Sequence, residues 1–307
     1  MQVEEFDLDR YLRASGRVDL SSVAWDRVGE YPLSGVEARC LTYMMDIESH
    51  TVVYLRDLLA TKAILDPDVT AFLSCWVYEE LWHGEAFSRF LGQAGLRLDP
   101  EREAVGGRSP FPTRVGRNRG IRRSVGRSGT LRHLAILLAS AFTTDFVAVY
   151  VTWGAVNELS TLTAYQALIE RTNHPILVDL LRAIVKDERR HFAFYRAQAR
   201  MRLARSARAR RLTRWAMEHL WDPVGTGVRP QQETDFVMTS LFGDERGLAK
   251  VRGMDAAVGQ LPGLEGTRFL EEARERGLAR LPWRQVEALS TTPALSRAGI
   301  VTQTLTG

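Results

Sequence analysis

Two Glu-x-x-His pairs, Glu80/His83 and Glu188/His191, carry the side chains of this chain that are best suited to bind a metal ion. A step of three residues along an α-helix turns about 300°, so both members of a pair project from nearly the same face. Both pairs lie among apolar residues, where a carboxylate without a partner costs free energy. Because a bound cation offsets that cost, the two pairs predict a metal site.

Four long helices are predicted to position the two pairs. Apolar periodicity, together with the breaks at Asp-Pro, Gly and Asn-His-Pro, places these helices at 34–61, 68–95, 130–171 and 175–221. One pair lies on the second helix and the other on the fourth. Since no alternating strand or hairpin pattern is present, we predict an all-α fold.

The rest of the chain is predicted to support this helical core. Short packing helices are expected at 233–242, 245–258 and 264–277. We therefore predict a single domain over 1–290, with the bundle at 34–221, the packing helices at about 230–290, and a disordered tail at 291–307. The Gly-, Pro- and Arg-rich segment 100–129 is predicted to be a long excursion, which inside a compact domain is usually functional or mobile.

Composition indicates a globular protein with a sizeable core, since 45% of its 307 residues are hydrophobic. Cys40 and Cys75 offer neither a disulfide framework nor a thiolate metal motif, and the acidic N-terminus has no apolar run typical of a secretory signal. We therefore expect a cytoplasmic protein. Segment 134–156 is long and apolar, but it contains Asp145, and we interpret it as a buried helix rather than a transmembrane span.

Arginines are concentrated in two places. Seven lie within 108–127, where no acidic residue occurs, and eight lie within 196–214. Such surfaces attract polyanions or acidic proteins, although a solvated helix face has the same composition. No aromatic stacking motif or known binding module accompanies these arginines, so we do not expect a nucleic-acid partner.

The first and third helices each offer an acid that could complete the metal site. On the first helix the candidates are Asp46 and Glu48, and on the third helix Glu158 follows an apolar run. A bundle with one Glu from each of two helices and a Glu-x-x-His pair from each of the other two is the ferritin-like di-metal arrangement. The predicted ligands are then Glu48, Glu80, His83, Glu158, Glu188 and His191.

Charge and ligand type favour this set as one unit. Four converging carboxylates would repel one another and take up protons, whereas two divalent cations offset four negative charges. Oxygen-rich ligation with one nitrogen per metal suits iron or manganese and differs from a structural zinc site. The acids that precede each pair, Glu79 and Asp187, are candidates for orienting the histidines of the neighbouring helix. His50 lies only two residues from Glu48, points elsewhere on the helix, and is not expected to be a ligand.

The two motifs resemble those of the soluble acyl-carrier-protein desaturase family. The first is similar to that family's Glu-Glu-x-Arg-His-Gly motif, and the second to its Asp-Glu-x-Arg-His motif: Glu79-Glu80-Leu81-Trp82-His83-Gly84 and Asp187-Glu188-Arg189-Arg190-His191. In the family, the first-helix ligand lies six residues before a Tyr, and the pair Glu48 and Tyr54 reproduces that spacing. A Thr three residues after the third-helix ligand is thought to assist oxygen chemistry there, which makes Thr161 the candidate catalytic residue. One departure is Trp82, which stands where the family has Arg.

The resemblance implies a ferritin-like bundle with two iron ions, which uses dioxygen to desaturate a fatty acyl chain. It also implies an acyl-carrier protein or acyl-CoA as carrier, ferredoxin as external electron donor, and a homodimer. We expect Met44, Met45, Phe146, Val149, Tyr150 and Trp153 to line an apolar tunnel for the chain. Two alternatives use the same ligands: an oxygenase that hydroxylates or N-oxygenates a carrier-bound intermediate, and a non-enzymatic iron-binding protein.

Overall fold

The structure is a computed structural model that describes residues 6–59, 61–96 and 145–290. Within these ranges every regular element is a helix. The predicted all-α class is therefore confirmed. The α-helices are α1 (Leu8–Ala14), α2 (Gly35–Glu48), α3 (Thr51–Leu59), α4 (Pro67–Gln93), α5 (Phe146–Arg171), α6 (Pro175–Arg205), α7 (Ala207–Leu220), α8 (Gln231–Phe242), α9 (Glu245–Val258), α10 (Phe269–Arg280) and α11 (Trp283–Ser290). Two short 3₁₀ helices cover Trp25–Glu30 and Lys62–Leu65.

The long helices α2, α4, α5 and α6 form the core of the bundle. Helix α5 packs mainly on α6, and α2 packs on α4. The connection between α5 and α6 is only three residues long, as is typical of antiparallel neighbours. The inner face of α6 shows the expected helical periodicity, with Leu177, Leu180, Leu181 and Ile184 all fully buried.

Two glycines allow the helices to approach each other closely. A Cβ atom at Gly154 on α5 would lie 2.5 Å from ring carbons of Tyr195 on α6. A Cβ atom at Gly84 on α4 would lie 2.5 Å from Oγ of Ser49, which follows α2 directly. Both distances are too short for a real contact, so these two positions require glycine at the observed helix spacing.

The capping residues explain where the bundle helices begin. Ser34 and Glu37 form a capping box at the start of α2, in which each side chain bonds the other residue's backbone. The Asp66 side chain accepts hydrogen bonds from the first turn of α4, and His174 accepts one from Leu177 at the start of α6. In both α4 and α6 the first helical residue is proline, which suits that position.

Two predicted helices are interrupted in the structure, and both predictions of continuity were wrong. The first helix breaks after Glu48, because Oγ of Ser49 donates to the Met45 carbonyl and Oγ1 of Thr51 donates to that of Glu48. Hydroxyl groups compete in this way with the backbone hydrogen bonds of a helix. The fourth helix breaks at Ser206, whose extended backbone and side-chain bond to the amide of Ala209 start the new helix α7.

The C-terminal helices cover one side of the bundle. Helices α8, α9 and α10 pack on one another, α9 contacts α5, and α8 and α11 contact α2. The three predicted packing helices are confirmed, although α10 begins five residues later than expected, at Phe269. Helices α1 and α11, which are short, were not predicted.

Several predictions concern residues outside the described ranges. The Arg-rich segment 108–127, the tail 291–307 and the first part of the predicted third helix belong to this group. Among the helices that the structure does describe, none combines the length and the hydropathy needed to cross a membrane.

Candidate metal centre

Six side chains converge at the centre of the bundle, and they are the six predicted ligands. Glu48 lies at the end of α2, Glu80 and His83 on α4, Glu158 on α5, and Glu188 and His191 on α6. None of the six is more than 6% exposed. Buried carboxylates at this density require either protons or cations as partners.

The six side chains form two overlapping groups that can each hold a metal ion. One group consists of Glu48, Glu80, His83 and Glu188, and the other of Glu80, Glu158, Glu188 and His191. Within each group the possible ligand atoms all lie within 4.8 Å of one another. Because Glu80 and Glu188 belong to both groups, the arrangement suits two ions that share two carboxylates.

The two histidines mark the two metal positions. Nδ1 of His83 lies 3.2 Å from Glu188 and 3.8 Å from Glu48, whereas Nδ1 of His191 lies 3.0 Å from Glu80 and 3.6 Å from Glu158. The two imidazole rings have their centroids 5.9 Å apart. Each histidine therefore directs the same ring nitrogen toward its own set of carboxylates.

The inward-pointing atoms of these side chains have no hydrogen-bond partner among the described residues. They are fully buried and comprise Glu48 Oε2, Glu80 Oε1, His83 Nδ1, both carboxylate oxygens of Glu188, and His191 Nδ1. Unsatisfied buried polar atoms are rare in folded proteins, and a cluster of six calls for a specific explanation. Since all six atoms belong to residues of the two groups, the donor set fits a pair of cations.

The outer nitrogen of each histidine contacts a carboxylate from the opposite motif. Nε2 of His191 on α6 lies 2.7 Å from Glu79 on α4, and Nε2 of His83 on α4 lies 3.2 Å from Asp187 on α6. Such contacts fix the ring orientation and leave the other nitrogen available to a metal. The structure therefore places Glu79 and Asp187 where they can orient the histidines.

Arg190 links these two carboxylates at the edge of the site. Its guanidinium donates to Asp187 at 2.6 Å and to Glu79 at 3.0 Å. Glu79 also accepts hydrogen bonds from the Tyr11 hydroxyl at 2.8 Å and the Gly16 amide at 3.3 Å. The segment around α1 thus closes over the His191 side of the site.

The two remaining carboxylates each accept a hydrogen bond from an aromatic side chain. Nε1 of Trp76 donates to Oε1 of Glu158 at 2.9 Å, and the Tyr165 hydroxyl makes a short hydrogen bond to Oε1 of Glu48. Trp76 lies one helical turn before Glu80 on α4. Tyr165 lies two turns after Glu158 on α5, and each donor therefore comes from a neighbouring helix.

The pKa values of the acids in the site shift in different directions. Burial and neighbouring carboxylates raise them, whereas contacts with the histidines lower them. Burial raises the pKa of Glu158 to about 8, against the lowering effect of its contact with His191. Burial and the charges of Glu48 and Glu188 also raise the pKa of Glu80. For Glu188, burial acts in the same direction, but the close contacts with His191 and His83 outweigh it and lower the pKa.

The histidines and Glu79 are stabilised in their charged forms. Burial by itself would lower the pKa of each histidine, but the surrounding carboxylates raise the pKa of both His83 and His191 well above the usual value. Burial likewise opposes ionisation of Glu79, yet the bonds from His191 and Tyr11 and the charge of Arg190 bring its pKa down to about 2. A metal ion must therefore displace protons from several ligand atoms.

An apolar cavity reaches the site from the side of Glu48. Its wall contains Glu48 and Tyr165, and the space inside is about 710 Å³, including the part that opens to solvent. Most of the lining comes from the C-terminal half of the chain, including Trp221, Val237, Met238, Phe242, Met254 and Leu270. Apolar cavities with a few polar groups in the wall are typical of small-molecule sites.

No family model, curated protein or solved structure matches this chain.

The structure separates the two first-helix candidates and shows which predicted tunnel residues line the cavity beside Glu48. Asp46 forms an ion pair with Arg229 at 2.7 Å and points away from the metal groups, whereas Glu48 belongs to them. Met44 lines the cavity as predicted, and Thr161 also lies in its wall, one turn after Glu158. The wall of this cavity does not include the other five predicted tunnel residues; helices α2, α5, α8, α9 and α10 all contribute to it.

Sequence reasoning missed Tyr11, Trp76, Tyr165 and the bridging role of Arg190. Trp76 and Tyr165 could have been found, because they lie at steps of four and seven residues from predicted ligands and so share their helix faces. Tyr11 carries no such signal. At position 82, where the resembled family has Arg, the Arg17 guanidinium instead lies over the Trp82 ring at 4.3 Å.

Proposed function

We propose that this chain is a di-iron enzyme that uses dioxygen to introduce a double bond into an acyl chain carried as a thioester. One observation carries the proposal: Glu48 belongs both to the cluster of metal-binding side chains and to the wall of the apolar cavity. A molecule in that cavity would lie directly beside the metal position. A storage site for metal has no need of such a cavity.

Iron is the metal that the ligand set favours. Four carboxylates and two imidazoles, without a thiolate, suit iron or manganese. Bound iron would supply two-electron chemistry with dioxygen, in which the acyl chain loses two hydrogens and dioxygen is reduced to two waters with two further electrons and two protons. The external electrons would come from a ferredoxin-type donor.

The protein's own residues would orient the ligands and exclude water. Glu79 and Asp187 fix the two imidazole rings, while Trp76 and Tyr165 each hold one carboxylate. The cavity lining supports an apolar substrate segment, because burial of such a segment releases water from both surfaces. These roles agree with the motif resemblance to acyl-carrier-protein desaturases.

Thr161 is the proposed proton-delivery residue. It is partly exposed, lies in the cavity wall beside Ser160, and follows Glu158 by one helical turn. Thr161→Ala should keep both metal ions but lower the amount of product formed per dioxygen consumed. An unchanged ratio would remove Thr161 from the mechanism, and Ser160→Ala is the matched control because the Ser160 hydroxyl already donates to the Val156 carbonyl.

Exposed arginines support an acidic carrier or electron donor. Within the cluster 196–214, Arg202 binds Asp66 and Arg214 binds the carbonyl of Glu265, so these two are occupied. The Arg208 side chain is 68% exposed although it pairs with Asp145 at 3.7 Å, and Arg211, one turn later on α7, is also exposed. If these arginines steer an acidic partner, the rate of turnover should fall as salt concentration rises.

Reconstitution tests the proposal directly. Protein loaded with ferrous iron would be supplied with a reductant, dioxygen and a panel of acyl-carrier-protein and acyl-CoA thioesters, and the products would be weighed by mass spectrometry. Loss of two hydrogens is the expected result. Gain of an oxygen atom would instead identify a hydroxylating oxygenase, and dioxygen uptake with no change in any acyl chain would contradict the proposed substrate.

A further inference from the structure

Tyr165 leaves Glu48 with one oxygen for a metal ion. Its hydroxyl donates to Oε1 of Glu48, whereas Oε2 is buried, has no hydrogen-bond partner among the described residues, and lies 3.8 Å from Nδ1 of His83. The first oxygen is therefore held by the protein. The second is the one that points to the metal position marked by His83.

The side chain that holds the Glu48 carboxylate in place belongs to a different helix. Glu48 is the last residue of α2, and the chain turns at Ser49 and His50 before α3 begins. Tyr165 lies within the long helix α5, is 1% exposed, and packs its ring on that of Phe87 with centroids 5.6 Å apart. A rigid residue thus holds a ligand that sits at a helix end.

The two halves of the metal centre differ in their relation to the cavity. Glu48 and Tyr165 both belong to the cavity wall, but Glu158, His191 and Trp76 do not belong to the lining that the described residues form. The half containing His83 therefore faces the cavity, and the half containing His191 is enclosed by Tyr11, Phe72 and Glu79.

On the basis of the proposed metal function, we infer that Tyr165 is the positioning residue of the Glu48/His83 half of the metal centre and that this half meets the molecule in the cavity. Tyr165 holds Oε1 of Glu48 and would leave Oε2 as the oxygen available to a bound ion. Trp76 is the corresponding residue for Glu158 in the other half, which does not belong to the wall of this cavity.

Cobalt(II) titrations in two backgrounds test the role of Tyr165. His191→Ala should retain cobalt at the Glu48/His83 half, and His83→Ala should retain it at the other half. In the His191→Ala background, adding Tyr165→Phe should weaken cobalt binding about 10- to 100-fold, as is usual when a ligand loses its hydrogen-bond partner. In the His83→Ala background, the same change should leave cobalt affinity nearly unchanged. Equal effects in the two backgrounds would overturn the inference.

The two-histidine protein provides a second measurement that does not depend on the alanine variants. Here Tyr165→Phe should weaken the binding of one of the two cobalt ions, and Trp76→Phe should weaken the binding of the other. The double variant should bind both ions more weakly. If the parent protein binds two ions and Tyr165→Phe binds both equally well, the inference fails while the proposed metal function stands. If the parent protein binds none, both fail.

An uncharged apolar probe tests which half faces the cavity. Methyl decanoate should change the visible absorption of cobalt in the His191→Ala protein, because it would alter the surroundings of the ion at the Glu48/His83 half. It should leave the His83→Ala spectrum unchanged. The opposite pattern, or no change in either protein, would overturn the assignment.

Discussion

His191 on α6 and Glu79 on α4 share a hydrogen bond of 2.7 Å, so the first acid of one motif orients the histidine of the other. Asp187 and His83 repeat the relationship in the opposite direction at 3.2 Å. The two Glu-x-x-His motifs are therefore interlocked, and neither helix can present its histidine correctly without the other. Changes to the outer acids should consequently affect metal binding across the helix pair.

Glu79→Gln should lower the affinity for a metal ion at His191 more than the affinity for an ion at His83. The amide keeps the size of the side chain but removes the charge that His191, Tyr11 and Arg190 now share, and loss of such a partner typically costs about 10- to 100-fold in metal affinity. Stepwise cobalt titration would measure both ions. Glu170→Gln, which alters an exposed acid paired with Lys250, is the matched control and should change neither.

Glu188→Ala should reduce the number of metal ions bound per chain more than Glu48→Ala does. Glu188 belongs to both metal-binding groups, whereas Glu48 belongs to one, so the first change should abolish binding of both ions and the second of only one. Elemental analysis of metal per chain gives the count. Asp46→Ala, two residues from Glu48 but paired with Arg229, should keep full occupancy, and loss of metal in this variant would contradict the choice of Glu48.

Metal uptake should release protons and strengthen as pH rises. The pKa of Glu158 is raised to about 8, and the pKa values of Glu80, His83 and His191 are raised as well, so these groups hold protons to higher pH than usual and a cation must displace those protons. Affinity should therefore fall as pH drops from about 8 to about 6, where more of these groups are protonated. Calorimetry in buffers with different ionisation enthalpies measures the released protons, and a pH-independent affinity would contradict the assignment.

Gly84→Ala should destabilise the fold and disturb the Glu48/His83 half of the site. Its Cβ atom would lie 2.5 Å from Oγ of Ser49, and an overpacked core contact typically costs about 1–3 kcal/mol. Chemical denaturation measures the free energy of unfolding. Ser49→Ala in the same protein should recover much of the loss, because it removes the clashing atom.

Gly92→Ala is the control for this effect, since it lies on the same helix and its Cβ atom would meet nothing within 4 Å. Alanine is a better helix former than glycine by about 1 kcal/mol, so this variant should be as stable as the parent or more stable. A comparable loss in both variants would mean that helix α4 simply tolerates no alanine, and would contradict the close-contact argument.

The convergence of the six candidate ligands was predictable because the sequence signal for it is local. A three-residue spacing on a helix is enough to bring Glu80 beside His83, and apolar neighbours are enough to predict that both are buried. Contacts between distant segments carry no such signal, which is why Tyr11 was missed despite its bond to Glu79. The C-terminal part of the cavity wall was missed for the same reason, since Met238 and Met254 join that wall beside Glu48 only after the C-terminal helices have packed.

The helix breaks show a second limit of the sequence. The segment around Ser49 has continuous apolar periodicity, so a continuous helix was predicted. Hydroxyl groups of Ser49 and Thr51 instead bond to nearby carbonyls, and the close approach of Gly84 favours that geometry. Propensity alone does not determine whether a serine stays helical or competes with the backbone.

The interruption after Glu48 links ion binding to local folding. Carbonyl groups at the end of a helix carry partial negative charge, so the carboxylate at the end of α2 is in an unfavourable field that a cation would relieve. A ligand that binds only the ordered form stabilises that form. Amide hydrogen exchange at Ser49, His50 and Thr51 should therefore slow more on metal loading than exchange in the middle of α6. Exchange at this turn would then report whether the metal site is occupied.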